Sequence, residues 1–157
     1  MKTIARILGE AKAKVRPPTE QELTDPSMAY FYAQGIIKGR WPEGEEAIAK
    51  DPYWAYEYAK YVIRGRWPEG EKTIAKAPHW AHDYAMDVIR GRWPEGEEII
   101  AKSHLACRYA MDVIGGRWPE AEETIAKSEY KNHYLKAFPE AIDDWALLGW
   151  TDWMDVP

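Results

Sequence analysis

Gly39-Arg-Trp-Pro-Glu43 returns as Gly65-Arg-Trp-Pro-Glu69, Gly91-Arg-Trp-Pro-Glu95 and Gly116-Arg-Trp-Pro-Glu120. The starts lie 26, 26 and 25 residues apart. So regular a recurrence marks a tandem array, in which each copy is one supersecondary unit that buries its apolar face against its neighbours. Around the phrase, Pro42 suits the first position of a helix, where a missing N–H costs nothing. Glu43, Glu45 and Glu46 crowd the first turn, where the helix dipole favours anions. A short helix A of about two turns follows, with Ile48 on its inner side. Asp51-Pro52 then restarts the chain as N-cap and first residue of a second helix, B. Asp25-Pro26 does the same, Ala77-Pro78 keeps the proline, and Ser103 and Ser128 cap without it. Helix B is predicted to run to Arg64, with Gly65 as the left-handed residue that ends it.

The copies of helix B share Ala29, Ala55, Ala81 and Ala106, then Tyr32, Tyr58, Tyr84 and Tyr109, then Ala33, Ala59, Ala85 and Ala110. Further on come Ile36, Val62, Val88 and Val113, each followed by isoleucine. Offsets of i, i+3, i+4, i+7 and i+8 trace one face of an α-helix. With Ile48, Ile74, Ile100 and Ile125 from helix A, they form the predicted core. Trp41, Trp67, Trp93 and Trp118 are expected to seal the seams between copies. The fold class is therefore all-α: a helix-turn-helix tandem-repeat solenoid with atypical capping helices at both ends.

The whole chain, 1–157, reads as one domain. Residues 1–16 suit an N-terminal cap, 17–138 hold the repeats, and 139–157 form a C-terminal cap with an acidic, Trp-rich tail. Phe138-Pro139-Glu140-Ala141 echoes Trp118-Pro119-Glu120-Ala121 and marks the start of that cap. The net charge is −5, but residues 1–16 carry +4 and residues 139–157 carry −5. Head-to-tail self-association is one use of that asymmetry, and solvated charge on two caps is the plainer one. One cysteine excludes an internal disulfide, and no apolar run approaches the roughly 20 residues that span a bilayer. A soluble, cytoplasmic protein without membrane contact is expected.

Catalysis needs one asymmetric centre, whereas the constant residues come in equal copies. The chain has no phosphate loop, nucleophile motif or metal-ligand cluster. His79 and His82, with His104 at the position of His79, lack a third ligand at zinc spacing. No catalytic, cofactor-binding or metal-binding residue is assigned. The repeated Arg40, Arg66, Arg92 and Arg117 could meet successive phosphates, but the acidic chain and the glutamates beside each argue for local ion pairs and against nucleic acid. The positions where copies differ carry the functional expectation. Tyr30, Phe31, Tyr56, Lys60, Tyr61, His82, Met86, Arg108 and Met111 are expected to face away from the constant stripe and to form a partner-binding surface. The four arginines, with Trp150 and Trp153 of the tail, are secondary candidates.

Ile37-Lys-Gly-Arg-Trp-Pro-Glu43 and Asp51-Pro-Tyr-Trp-Ala-Tyr56 resemble tandem repeats of uncharacterised bacteriophage proteins, over about residues 25–138. The resemblance implies a phage context and carries no catalytic residue with it. The expected function is a non-enzymatic, protein-binding solenoid that inhibits a host or defence protein, in the manner of an anti-CRISPR. A protein that sequesters a small ligand or nucleotide signal is the first alternative, and a purely structural assembly repeat the second.

Overall fold

The computed structural model describes residues 15–151. The expected N-terminal cap falls almost wholly outside them, as does Trp153. All regular structure among the described residues is helical, in eleven α-helical segments without a strand. The chain divides into two compact units, residues 1–73 and 74–157.

The first unit contains α1 (Glu20–Thr24), α2 (Pro26–Phe31), α3 (Pro42–Ile48) and α4 (Pro52–Glu57); α5 (Pro68–Ile74) runs across the division. In the second lie α6 (Pro78–Tyr84), α7 (Pro94–Ala101), α8 (Ala106–Tyr109), α9 (Pro119–Ala126), α10 (Lys131–Ala137) and α11 (Ala141–Leu147). Helices A and B alternate as a tandem helical repeat. Asp51 caps α4 by accepting from the N–H groups of Tyr53 and Trp54, and Pro52 follows as the first helical residue. The copy that begins at Gly91 shortens this turn. Ser103 stands where Ala77-Pro78 stood, and its hydroxyl accepts from Leu105 N at 3.1 Å, which accounts for the drop from 26 to 25 residues.

Helix B departs from the predicted α-helix. Each copy changes into a π-helical turn: Tyr32–Ile37, Tyr58–Ile63, Ala85–Ile89 and Ala110–Ile114. A π-turn bonds i to i+5 and therefore takes more residues per revolution. The apolar stripe drifts off the inner face as a result. The alanines and tyrosines at i, i+3 and i+4 are buried, but Ile36 at i+7 is 38% exposed and Val62, Val88 and Val113 are only half-buried.

The helix end also differs from expectation. The left-handed residue is not the glycine of the repeated phrase but the one before it: Lys38, Arg64 and Arg90, with φ of 57°, 60° and 59°, and Gly115 at 68°. The next N–H, on Gly39, Gly65, Gly91 or Gly116, bonds back to the carbonyl of Ala33, Ala59, Ala85 or Ala110. This is a Schellman-type close widened by one residue because the turn it ends is a π-turn. Neither conformation nor crowding demands glycine at the phrase itself, and nothing in the structure explains it. A side chain in the left-handed region costs about 1–2 kcal/mol, part of which glycine returns as unfolded-chain entropy. Arg90→Gly should therefore stabilise by about 0.5–1 kcal/mol, bringing this turn to what Gly115 already has. A thermal melt no higher than the parent's would refute the strain.

A different glycine is required by close approach. A Cβ on Gly44, Gly70 or Gly96 would lie 2.1, 2.3 or 2.4 Å from the ring of Trp41, Trp67 or Trp93. Each indole thus lies flat against the first turn of its own helix A. The fourth copy carries Ala121 there, fully buried, beside a Trp118 that is itself buried.

Candidate functional site

The constant residues first account for themselves. In the first unit Arg40 grips Glu45 through two hydrogen bonds, at 2.7 and 3.1 Å. Tyr58 donates its hydroxyl to Glu45 at 3.0 Å and accepts the Trp41 backbone N–H at 2.7 Å. One carboxylate therefore ties the loop before helix A to helix B of the same copy. The second unit repeats the relay. Arg92 pairs with Glu97, Tyr109 donates to Glu97, and Trp93 N donates to Tyr109. Arg117, Glu122, Tyr134 and Trp118 form the next one. Arg66 holds Glu71 in the same two-point manner. Between copies two of these tyrosines use their rings, Tyr58 against Trp67 at 4.9 Å and Tyr109 against Trp118 at 5.0 Å, and at the equivalent positions Tyr32 meets Trp41 at 4.6 Å and Tyr84 meets Trp93 at 4.9 Å.

The relay sets the titration of its carboxylates. Hydrogen bonding from Arg92 outweighs burial and holds Glu97 below the ordinary value of 4.5. Burial pushes Glu122 upward, but the bonds from Arg117, Trp145 and Tyr134 win, and its pKa also falls. At the N-terminal end Arg16 and the Thr19 backbone lower Glu22 to about 2. A folded-state pKa below the unfolded one adds stability above the unfolded value and loses it as pH falls through the folded value. The melting temperature should therefore stay level down to about pH 5 and then decline with acid. A melt as high at about pH 3 as at neutrality would contradict these bonds.

At the C-terminal end α11 follows the last helix pair. Phe138 precedes it, and Ala141 N bonds to Phe138 O as Ala121 N bonds to Trp118 O. The ring that closes the last core face, however, is Trp145 from within α11. It stacks on Tyr134 at 5.5 Å, nearly parallel, and donates Nε1–H to Glu122 at 2.9 Å. Arg117 reaches Asp144 of the same helix at 2.8 Å. Trp150 is half-buried beside Trp145, while Leu147 stays 87% exposed.

The variable positions fall into two groups. Tyr30, Tyr56 and His82 are not turned outward as expected; all three are buried, as is Cys107 at the equivalent position. Helix B packs on a neighbouring helix B as well as on helix A, so it buries a second stripe. In the first unit Tyr30 packs on Trp54 of the following copy at 5.2 Å. The second group stays outside. Phe31 is 54% exposed and Tyr61 is 48% exposed. Lys60 lies over the rings of both Tyr56 and Tyr61 at 5.1 Å, and its ammonium donates to the Tyr56 hydroxyl. Met86 and Arg108, in the second unit, are exposed and Met111 is half-buried. Each repeated arginine, half-exposed though Arg40, Arg66 and Arg92 are, is engaged by the carboxylate five residues on.

Among the described residues no three histidine, cysteine, aspartate or glutamate side chains could together hold a metal ion. His79 and His82 separate, one exposed and one in the core, while His79 and His104 come together with ring centres 5.0 Å apart. No described helix is long and apolar enough to cross a membrane. No family model, no curated protein and no solved structure matches the chain.

Proposed function

We propose that this chain is a non-enzymatic, protein-binding tandem repeat that engages its partner through the exposed aromatic face of helix B in the first unit. The observation that carries the reading is the exposure of Phe31 and Tyr61. Most of the chain's large rings are spent on seams or on the Tyr–Glu relay, whereas these two leave much of their area in water. Exposed aromatics are what partner surfaces use as anchors. The repeated arginines do not compete for this role, since each is occupied by its own glutamate.

The finer reading is that the partner is a bacterial defence effector and the chain a phage-borne inhibitor of it. Its support is the resemblance of the repeat words to phage tandem repeats. Affinity capture from bacterial lysate, read by mass spectrometry, tests the coarser proposal. The parent chain should retain one protein that a Phe31→Asp, Tyr61→Asp double variant of equal melting temperature loses. Capture of nothing by the parent, or of the same protein by both, sinks it. Expression in a host that carries the captured effector should then raise phage plating, and unchanged plating would remove the inhibitor reading.

A further inference from the structure

We infer that the second unit carries a small-molecule site for a planar heteroaromatic anion of about mononucleotide size, in the cavity between Cys107, Arg108 and Tyr130. The cavity measures about 520 Å³, within the range of ligand pockets. The repeat itself supplies the comparison. Stepping through the copies, Tyr30 becomes Tyr56, His82 and Cys107; Phe31 becomes Glu57, Asp83 and Arg108; Trp54 becomes Trp80, Leu105 and Tyr130. In the first unit this seam is filled by rings. Tyr30 and Phe31 both pack on Trp54, at 5.2 and 5.3 Å. At the matching seam of the second unit the two rings on helix B are replaced by a thiol and a guanidinium, Cys107 and Arg108, and Tyr130 of the following copy stands in the place of Trp54. What is missing there is aromatic volume, so a flat aromatic ligand restores the packing that the first unit builds for itself.

The rim indicates the rest of the ligand. His79 and His104 stand together on one side and His133 contributes a third imidazole, offering ring faces and hydrogen-bonding nitrogens. Asp112 holds the exposed Arg108 guanidinium by Nε at 3.1 Å, which orients it. An oriented guanidinium recognises a carboxylate or phosphate oxygen pair. Met111 adds a polarisable surface to the lining that suits a ring. The site shares no residue with the aromatic face of the first unit, so it can be tested independently of protein capture.

The test is calorimetric titration of the full chain with adenosine, guanosine and uridine monophosphates and with indole-3-carboxylate; adenosine and inorganic phosphate serve as controls. At least one of the four anions should bind with a dissociation constant in the micromolar range and shift the imidazole resonances of His79 and His104. Preference for the nucleotides or for the indole acid identifies the source of the anion. Cys107→Tyr, which rebuilds the ring found at Tyr30 and Tyr56, should lower affinity at least tenfold. If that variant does not fold, Arg108→Gln on the exposed rim decides, with the same tenfold loss expected. Absence of binding by all four at millimolar concentration overturns the inference. So do equal binding of adenosine and its monophosphate, equal binding of phosphate alone, or affinity untouched by Arg108→Gln.

Discussion

Glu122→Ala should lower stability by about 3–5 kcal/mol, which for a chain of this length is a fall in Tm of about 10 °C or more. Glu122 is 3% exposed and receives bonds from four donors on three side chains: two from Arg117, one from Tyr134 and one from Trp145. Removing the carboxylate leaves a cation paired only with Asp144, strips the buried Tyr134 hydroxyl of the acceptor for its proton and orphans a buried indole N–H. The cost of such orphans exceeds the net worth of the bonds they made. Glu45→Ala, at a carboxylate with only Arg40 and Tyr58 and more access to water, should cost less, about 1–3 kcal/mol. The ordering is the test. Thermal melts in which Glu122→Ala lies within about 1 kcal/mol of the parent, or above Glu45→Ala, would show that the hub is not structural.

The second large effect is expected at Trp93. Its ring is 1% exposed, lies on Gly96 and meets Tyr84 at 4.9 Å. Trp93→Ala deletes the ring from a seam that cannot collapse around the rigid helix starts, and should cost about 3–5 kcal/mol. Trp93→Phe should be far milder. The Trp93 indole N–H finds no acceptor in the structure, so phenylalanine loses area but removes a buried orphan donor worth about 1–3 kcal/mol. Urea melts should place Trp93→Phe much nearer the parent than Trp93→Ala. Equal losses would mean that the N–H, not the ring area, is what matters.

The repeat and its helix pairs were legible because the signal is local and repeated. The alanine–tyrosine–alanine spacing, the helix-starting prolines and the inner isoleucines all act within one or two turns. What escaped depends on three-dimensional neighbours. No residue pattern announced the π-turn, and it displaced the Ile36 series from the core and moved the left-handed position onto Arg64. Tyr30, Tyr56 and His82 looked outward on a helix assumed to bury one face, whereas these helices bury two. Phe138-Pro139-Glu140-Ala141 echoed the start of helix A, but nothing in the spacing singled out Trp145, whose indole N–H Glu122 accepts. The relay left a readable trace: arginine, a glutamate five residues on and a tyrosine in helix B, 18 or 17 residues after the arginine, recur in every copy. The helix dipole offered a sufficient reason for the glutamates and concealed the second one.

The two uses of Tyr58 and of Tyr109 divide the energetics of the array. The hydroxyl binds within a copy and the ring binds between copies, so one residue holds both the intrinsic term and the nearest-neighbour term of a one-dimensional chain of coupled units. Phenylalanine at Tyr58 or Tyr109 weakens the first while sparing the second. Such substitutions change how sharply the units of the array melt together, separately from how much each is worth alone.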